Sequence, residues 1–125
     1  MRTTRTLSAC LAALLATAAA AQDTRAVSAD WTLEAISYNA KLAADWMTAN
    51  PKKHKPLDWT YGAFYAGITA LGLSDPTLPY LGQVRTLGET NSWGHLPRTY
   101  HADDHCIGQS WLELAAFDNN PVCAQ

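Results

Sequence analysis

The reading turns on the stretch Asp58-Trp59-Thr60-Tyr61-Gly62-Ala63-Phe64-Tyr65-Ala66-Gly67-Ile68-Thr69-Ala70-Leu71-Gly72-Leu73. It carries no charge after its first residue, and its apolar side chains fall on every side of a 3.6-residue period. A helix of that kind is buried all round rather than on one stripe. Gly67 at mid-helix costs about 1 kcal/mol relative to Ala, so close packing against another backbone is expected there. Ser74-Asp75-Pro76 then reads as a turn.

Outward from this helix, the neighbours on either side are amphipathic. Leu33, Ile36, Ala40, Ala43 and Met47 recur at spacings of three and four. They predict a helix over Asp30 to Asn50 with one apolar stripe, capped by Asp30 or Ser28 and stopped by Asn50-Pro51. Pro51-Lys52-Lys53-His54-Lys55-Pro56 is a basic surface loop. A third helix is predicted over Pro79 to Asn91, with Tyr80, Leu81, Val84 and Leu87 on its inner face. A fourth is predicted from Asp103 to Phe117 and is again mostly apolar. The order is amphipathic, buried, amphipathic, buried. Trp59 to Gly67 also lines up weakly with Tyr100 to Gly108 at an offset of 41 residues. A period of about 40 with two helices per unit is the pattern of stacked helical hairpins. The fold class is therefore all-α. Such arrays need about three or more units to bury their inner faces, so this stretch is expected to be the first part of a larger array.

The first 21 residues are expected to lie outside that fold. Arg2 and Arg5 precede an uncharged Leu/Ala run from Leu7, and Ala19-Ala20-Ala21 is followed by polar Gln22-Asp23. This is the layout of a secretory signal, and the run is shorter than the roughly 20 apolar residues a membrane span needs. A periplasmic or extracellular protein beginning near Gln22 is expected. Removal of Arg2 and Arg5 takes the net charge from −2 to −4, which argues against nucleic acid or anionic membrane as partners. Of the three cysteines, Cys10 lies in the signal. Cys106 and Cys123 remain, too awkwardly placed across one helix to pair well. Five Trp and five Tyr are many for this length, and flat aromatic rings serve both core packing and sugar stacking.

The densest polar cluster is Arg98-Thr99-Tyr100-His101-Ala102-Asp103-Asp104-His105. Asp103 suits a helix N-terminus, where a carboxylate meets free backbone N–H groups. Two adjacent acids flanked by two histidines exceed what a cap needs, and carboxylates at the end of an inner helix can be tuned for acid–base work. His101 and His105 are four apart, as in zinc-binding helices, but Ala102 stands where that motif has Glu and no third ligand is evident. No metal is expected.

These segments, taken together, resemble a known family. Trp59-Thr60-Tyr61-Gly62-Ala63-Phe64-Tyr65-Ala66-Gly67, Tyr80-Leu81, Gly88-Glu89-x-Asn91-x-Trp93 and Tyr100-His101-Ala102-Asp103-Asp104-His105-x-x-Gly108-Gln109-x-x-Leu112-Glu113-Leu114 resemble, in order and spacing, the unsaturated rhamnogalacturonyl hydrolases of glycoside hydrolase families 105 and 88. The resemblance implies a ring of six helical hairpins with the active site at one end of the inner helices. It implies a reaction in which an aspartic acid protonates the enol ether of an unsaturated uronic acid, water adds, and the hemiketal falls apart, with no cofactor. It implies Asp104 and Asp103 as site carboxylates, Asp104 preferred because Asp103 is the better cap. Trp59, Tyr61, His101 and His105 are implied substrate contacts, and the partner would be an oligosaccharide. The family's principal acid/base aspartate lies in a later Trp-Cys-Asp-type segment that these 125 residues do not contain. The chain is therefore expected to be inactive by itself. The alternative is a small exported helical module that binds sugar or a partner without catalysis.

Overall fold

The computed structural model describes residues 25–124, and the expected signal segment with Cys10 lies outside them. The described residues are all-helical: α1 (Leu33–Ala49), α2 (Trp59–Ser74), α3 (Tyr80–Thr90), a single turn α4 (Ala102–His105), α5 (Gly108–Asp118) and a closing 3-10 turn (Pro121–Ala124). No described helix is long and apolar enough to cross a membrane.

Local chemistry sets the ends. Asp58 accepts from the backbone N–H and the hydroxyl of Thr60, at 3.1 and 3.0 Å, and so caps α2. The cap of α1 is Thr32, whose Oγ1 accepts from Ala35 N at 3.2 Å, rather than Asp30 or Ser28. Ser28 is used otherwise: its N–H and C=O pair with both ends of the Asn39 amide, each at 2.9 Å. This exchange ties the leading segment along α1. Asn119, at φ 50°, closes α5 in the left-handed region, where Asn is tolerated better than most residues.

The core forms around α2, which packs on α1, α3, α4 and α5. Val84, Ile107 and Leu114 are fully buried and meet Ile68, Tyr80, Leu81 and Trp111. α5, the later part of the expected fourth helix, packs directly on α2.

Three further expectations fail, each for a physical reason. The stripe of α1 is not its buried face: Leu33 is 79% exposed and Ile36 half exposed, while Ala35, Leu42 and Ala44 go inside. Periodicity names a face, but only a neighbour buries it, and α1 packs mainly on α2. Likewise α2 is not covered all round. Ala63, Gly67 and Ala70 are exposed, and a Cβ at Gly67 would meet nothing within 4 Å. The close approaches come at Gly62, where a Cβ would lie 2.9 Å from Cys106 Sγ, and at Gly72 against Leu81. Between α1 and the open face of α2 runs an apolar groove of about 520 Å³ that includes Ala40, Met47 and Phe64. Finally, the fourth helix is broken at Cys106-Ile107. The carbonyl of Asp104 accepts from Leu96 N (3.3 Å), a loop residue occupying the oxygen to which a continuous helix would direct Gly108 N–H.

Candidate functional site

The polar cluster is assembled by the loop between α3 and α4. Its first bend is tight: Trp93 N donates to Gly88 O at 2.8 Å, and Ser92 and Trp93 sit at φ 54° and 56°. A bulky residue in the left-handed region is strained, and packing holds it there. The Trp93 ring lies against Gly88, where a Cβ would run into it. It also meets Trp111 edge to face at 5.2 Å, and Trp111 Nε1 donates to Gly94 O at 3.1 Å.

That bend delivers Arg98 to Asp104. The backbone N–H of Arg98 donates to Asp104 Oδ2 at 2.9 Å, and Nε donates to both carboxylate oxygens at 3.0 and 3.1 Å. Nη2 completes the fork on Oδ1. Asp104 is 1% exposed. Hydrogen bonding from the Arg98 side chain outweighs burial and holds its carboxyl down at about 2. Asp104 is thus an ionised acceptor with its oxygens engaged, and it has no proton to give.

Asp103 differs. Half of its side chain is exposed, and its Oδ2 lies 3.7 Å from His101 Nδ1. That nitrogen, although buried, makes no hydrogen bond, and it lies 3.9 Å from Asp104 Oδ1 as well. Asp103, Asp104 and His101 therefore come together around the first residues of α4. Trp59 starts α2 with half its surface open, and its carbonyl accepts from Cys106 Sγ at 3.9 Å, which fastens the start of α2 to the end of α4. Asp58 and Asp103 both lie near enough to support the charge of Arg98.

Two implied contacts point elsewhere. Tyr61 is buried and turned to the Pro51–Pro56 loop, where its hydroxyl accepts from Lys52 N at 2.7 Å and donates to Lys52 O at 2.9 Å. It lines a cavity of about 370 Å³ with Lys52, His54 and Tyr65, without any α4 residue. His105 is exposed and set against His95, with ring centres 4.4 Å apart. Among the described residues no group of three or more His, Cys, Asp or Glu side chains is placed to hold a metal ion. Cys106 and Cys123 are free thiols. Sequence reasoning gave Arg98 no role. The signal available was a lone cation five and six residues before two adjacent acids.

No protein-family model and no solved structure matches the chain. Over 80 residues, 63% of its length, it is 30% identical to an unsaturated 3S-rhamnoglycuronyl hydrolase of Formosa agariphila. The aligned stretch is 21% of that protein, so the chain spans about a fifth of the curated relative it matches. The relationship is a distant, glycoside hydrolase-like one.

Proposed function

We propose that this chain supplies one wall of an oligosaccharide site in a glycoside hydrolase-like protein, and that the sugar recognised is a terminal unsaturated uronic acid. The observation that carries the reading is the 80-residue likeness to a hydrolase named for an unsaturated rhamnoglycuronyl substrate. The geometry of α4 supports it. Asp103 is the carboxylate that reaches solvent, beside His101, and is the substrate-facing acid. Asp104 is a positioning residue: ionised and buried, it fixes Arg98. More than half of the Arg98 side chain remains exposed, and its outer edge offers a cation to a uronyl carboxylate. Trp59 presents an open ring at the start of α2.

Hydration of the enol ether needs a proton delivered to one carbon of the double bond and a water oxygen to the other, after which the hemiketal collapses. Asp104 cannot be that donor. The later acid/base aspartate implied by the family resemblance is not among these 125 residues, so binding without turnover is the expected behaviour of the chain by itself. In the test, the full chain is titrated with an unsaturated uronyl disaccharide by NMR while ultraviolet absorbance follows the double bond. Expected are shifts at Trp59, Asp103 and Arg98, lost in Asp103→Asn, with stable absorbance. Shifts confined to other elements, or binding indifferent to Asp103→Asn, would refute the reading.

A further inference from the structure

His95 and His105 form a separate pair at this corner; His105 is an implied sugar contact, but the proposed sugar wall of Trp59, Arg98, His101 and Asp103 does not use it. The loop that carries His95 cannot drift from α4, because Leu96 N donates to Asp104 O and Arg98 forks onto Asp104. The two imidazoles therefore stay side by side, with centres 4.4 Å apart and planes tilted by 43°. Each ring has one nitrogen against a backbone carbonyl: His95 Nδ1 lies 2.6 Å from Leu96 O, and His105 Nε2 lies 2.9 Å from Thr99 O. A carbonyl oxygen only accepts, so both of those nitrogens carry the proton. In the neutral rings this leaves His95 Nε2 and His105 Nδ1 as bare acceptors. Two adjacent imidazoles with lone pairs free and the opposite N–H groups anchored on backbone carbonyls match the arrangement of ligating histidines. The carbonyl fixes the tautomer and ring orientation and raises the basicity of the ligand nitrogen.

We propose that His95 and His105 form a two-histidine site for one divalent late first-row transition-metal ion, Cu²⁺ ahead of Ni²⁺ and Zn²⁺, with water in the remaining positions. Ring centres 4.4 Å apart leave room for one ion held about 2.0–2.1 Å from a nitrogen of each ring. Two imidazoles with water suit Cu²⁺ and Ni²⁺, and Cu²⁺ heads the affinity order for nitrogen ligands. The rings line a cavity of about 180 Å³ with Trp93, Trp111 and Cys123. Cys123 in that lining is buried. The shell is left open to water.

The full chain, stripped with EDTA, is titrated with CuCl₂, NiCl₂ and ZnCl₂, with Cu²⁺ binding read by electron paramagnetic resonance and Trp fluorescence. One Cu²⁺ per chain is expected, with splitting from two imidazole nitrogens, quenching of the tryptophans that line the cavity, and tighter binding than Ni²⁺. His95→Ala and His105→Ala should each weaken binding by about tenfold or more, roughly 1.4 kcal/mol, and His54→Ala should leave it unchanged. His105→Ala also removes the contact to Thr99. His95→Gln, at an exposed loop position, therefore serves as the second variant, with near-ultraviolet circular dichroism showing its fold. Unchanged Cu²⁺ affinity in His95→Gln, or an equal loss in His101→Ala and His105→Ala, would overturn the assignment.

Discussion

The corner from Asn91 to Cys106 holds only the single turn α4, and the α1–α2 face holds the two longest of the described helices. The irregular corner is nevertheless the better fastened. Its turns close on Gly88 O, Asp104 O and the Asp104 carboxylate, and two tryptophans lock it from inside. The face between α1 and α2 has regular backbone but leaves Ala43, Trp46, Ala63 and Gly67 exposed around an apolar groove, and Leu33 and Ile36 in water. Regular hydrogen bonding makes a helix, and burial against a neighbour makes it stable. Substitutions should therefore cost most where the backbone is least regular.

The largest effect is expected at Trp111, which is nearly buried and joins Trp93 to Gly94. Trp111→Ala should cost about 3–5 kcal/mol in urea unfolding, a large part of the roughly 5–15 kcal/mol that a small domain has. A loss below about 1 kcal/mol would show that the corner collapses around the gap. The acid clamp comes next. Asp104 titrates at about 2 in the fold and near 3.9 in an unfolded chain. Its contribution is full above about pH 4 and is lost as pH falls toward 2, where the fold no longer gains from the ionised form. Asp118, lowered by its fork with Arg85 at 2.6 and 2.5 Å, acts in the same sense. Asp104→Asn should destabilise the chain at neutral pH and flatten the acid limb of its stability profile. An unaltered slope between pH 4 and 2 would remove Asp104 from the clamp.

Two glycines sharpen the contrast at smaller scale. Gly88→Ala drives a methyl into the Trp93 ring and should cost about 1–3 kcal/mol. Gly67→Ala adds the same atom to open space on α2 and should stabilise by about 0.5–1 kcal/mol, because only the backbone entropy penalty of glycine is removed. Equal signs in thermal unfolding would mean that the two regions are packed alike.

How much of this was visible in the sequence follows the same division. The first three helices lie within three residues of their expected ends, because periodicity, caps and prolines act locally. The mostly apolar character of the fourth segment followed from its composition. The break after α4 did not, since Leu96 N–H reaches Asp104 O across the intervening loop. Nor did the left-handed backbone at Trp93, which no local rule assigns to tryptophan. At the candidate site, proximity of Asp103, Asp104 and His101 was legible from their spacing. The different surroundings of the two carboxylates were not. The sequence favours Asp104 as the site carboxylate on the ground that Asp103 would cap the helix; in the fold the N-cap of α4 is His101, with no side-chain cap hydrogen bond, and Arg98 engages Asp104. Burial, set by the loop, decides which carboxylate faces water.

The smallest effects belong to the outward side of α1. Leu33 and Ile36 form the expected apolar stripe, yet lie in water, while Leu42 one face away is buried. In dilute protein, Leu33→Ser and Ile36→Ser should each change stability by no more than about 0.5 kcal/mol, as surface substitutions do. Leu42→Ala should cost about 2–5 kcal/mol. The comparison needs two concentrations. Contiguous exposed apolar surface promotes association, and anything that binds only the folded chain adds to its apparent stability by mass action. If stability rises with concentration in the parent and not in Ile36→Ser, the stripe is being covered by other copies. If Ile36→Ser costs as much as Leu42→Ala even in dilute solution, the outward face of α1 is buried within the chain, and the contrast drawn between the two regions fails.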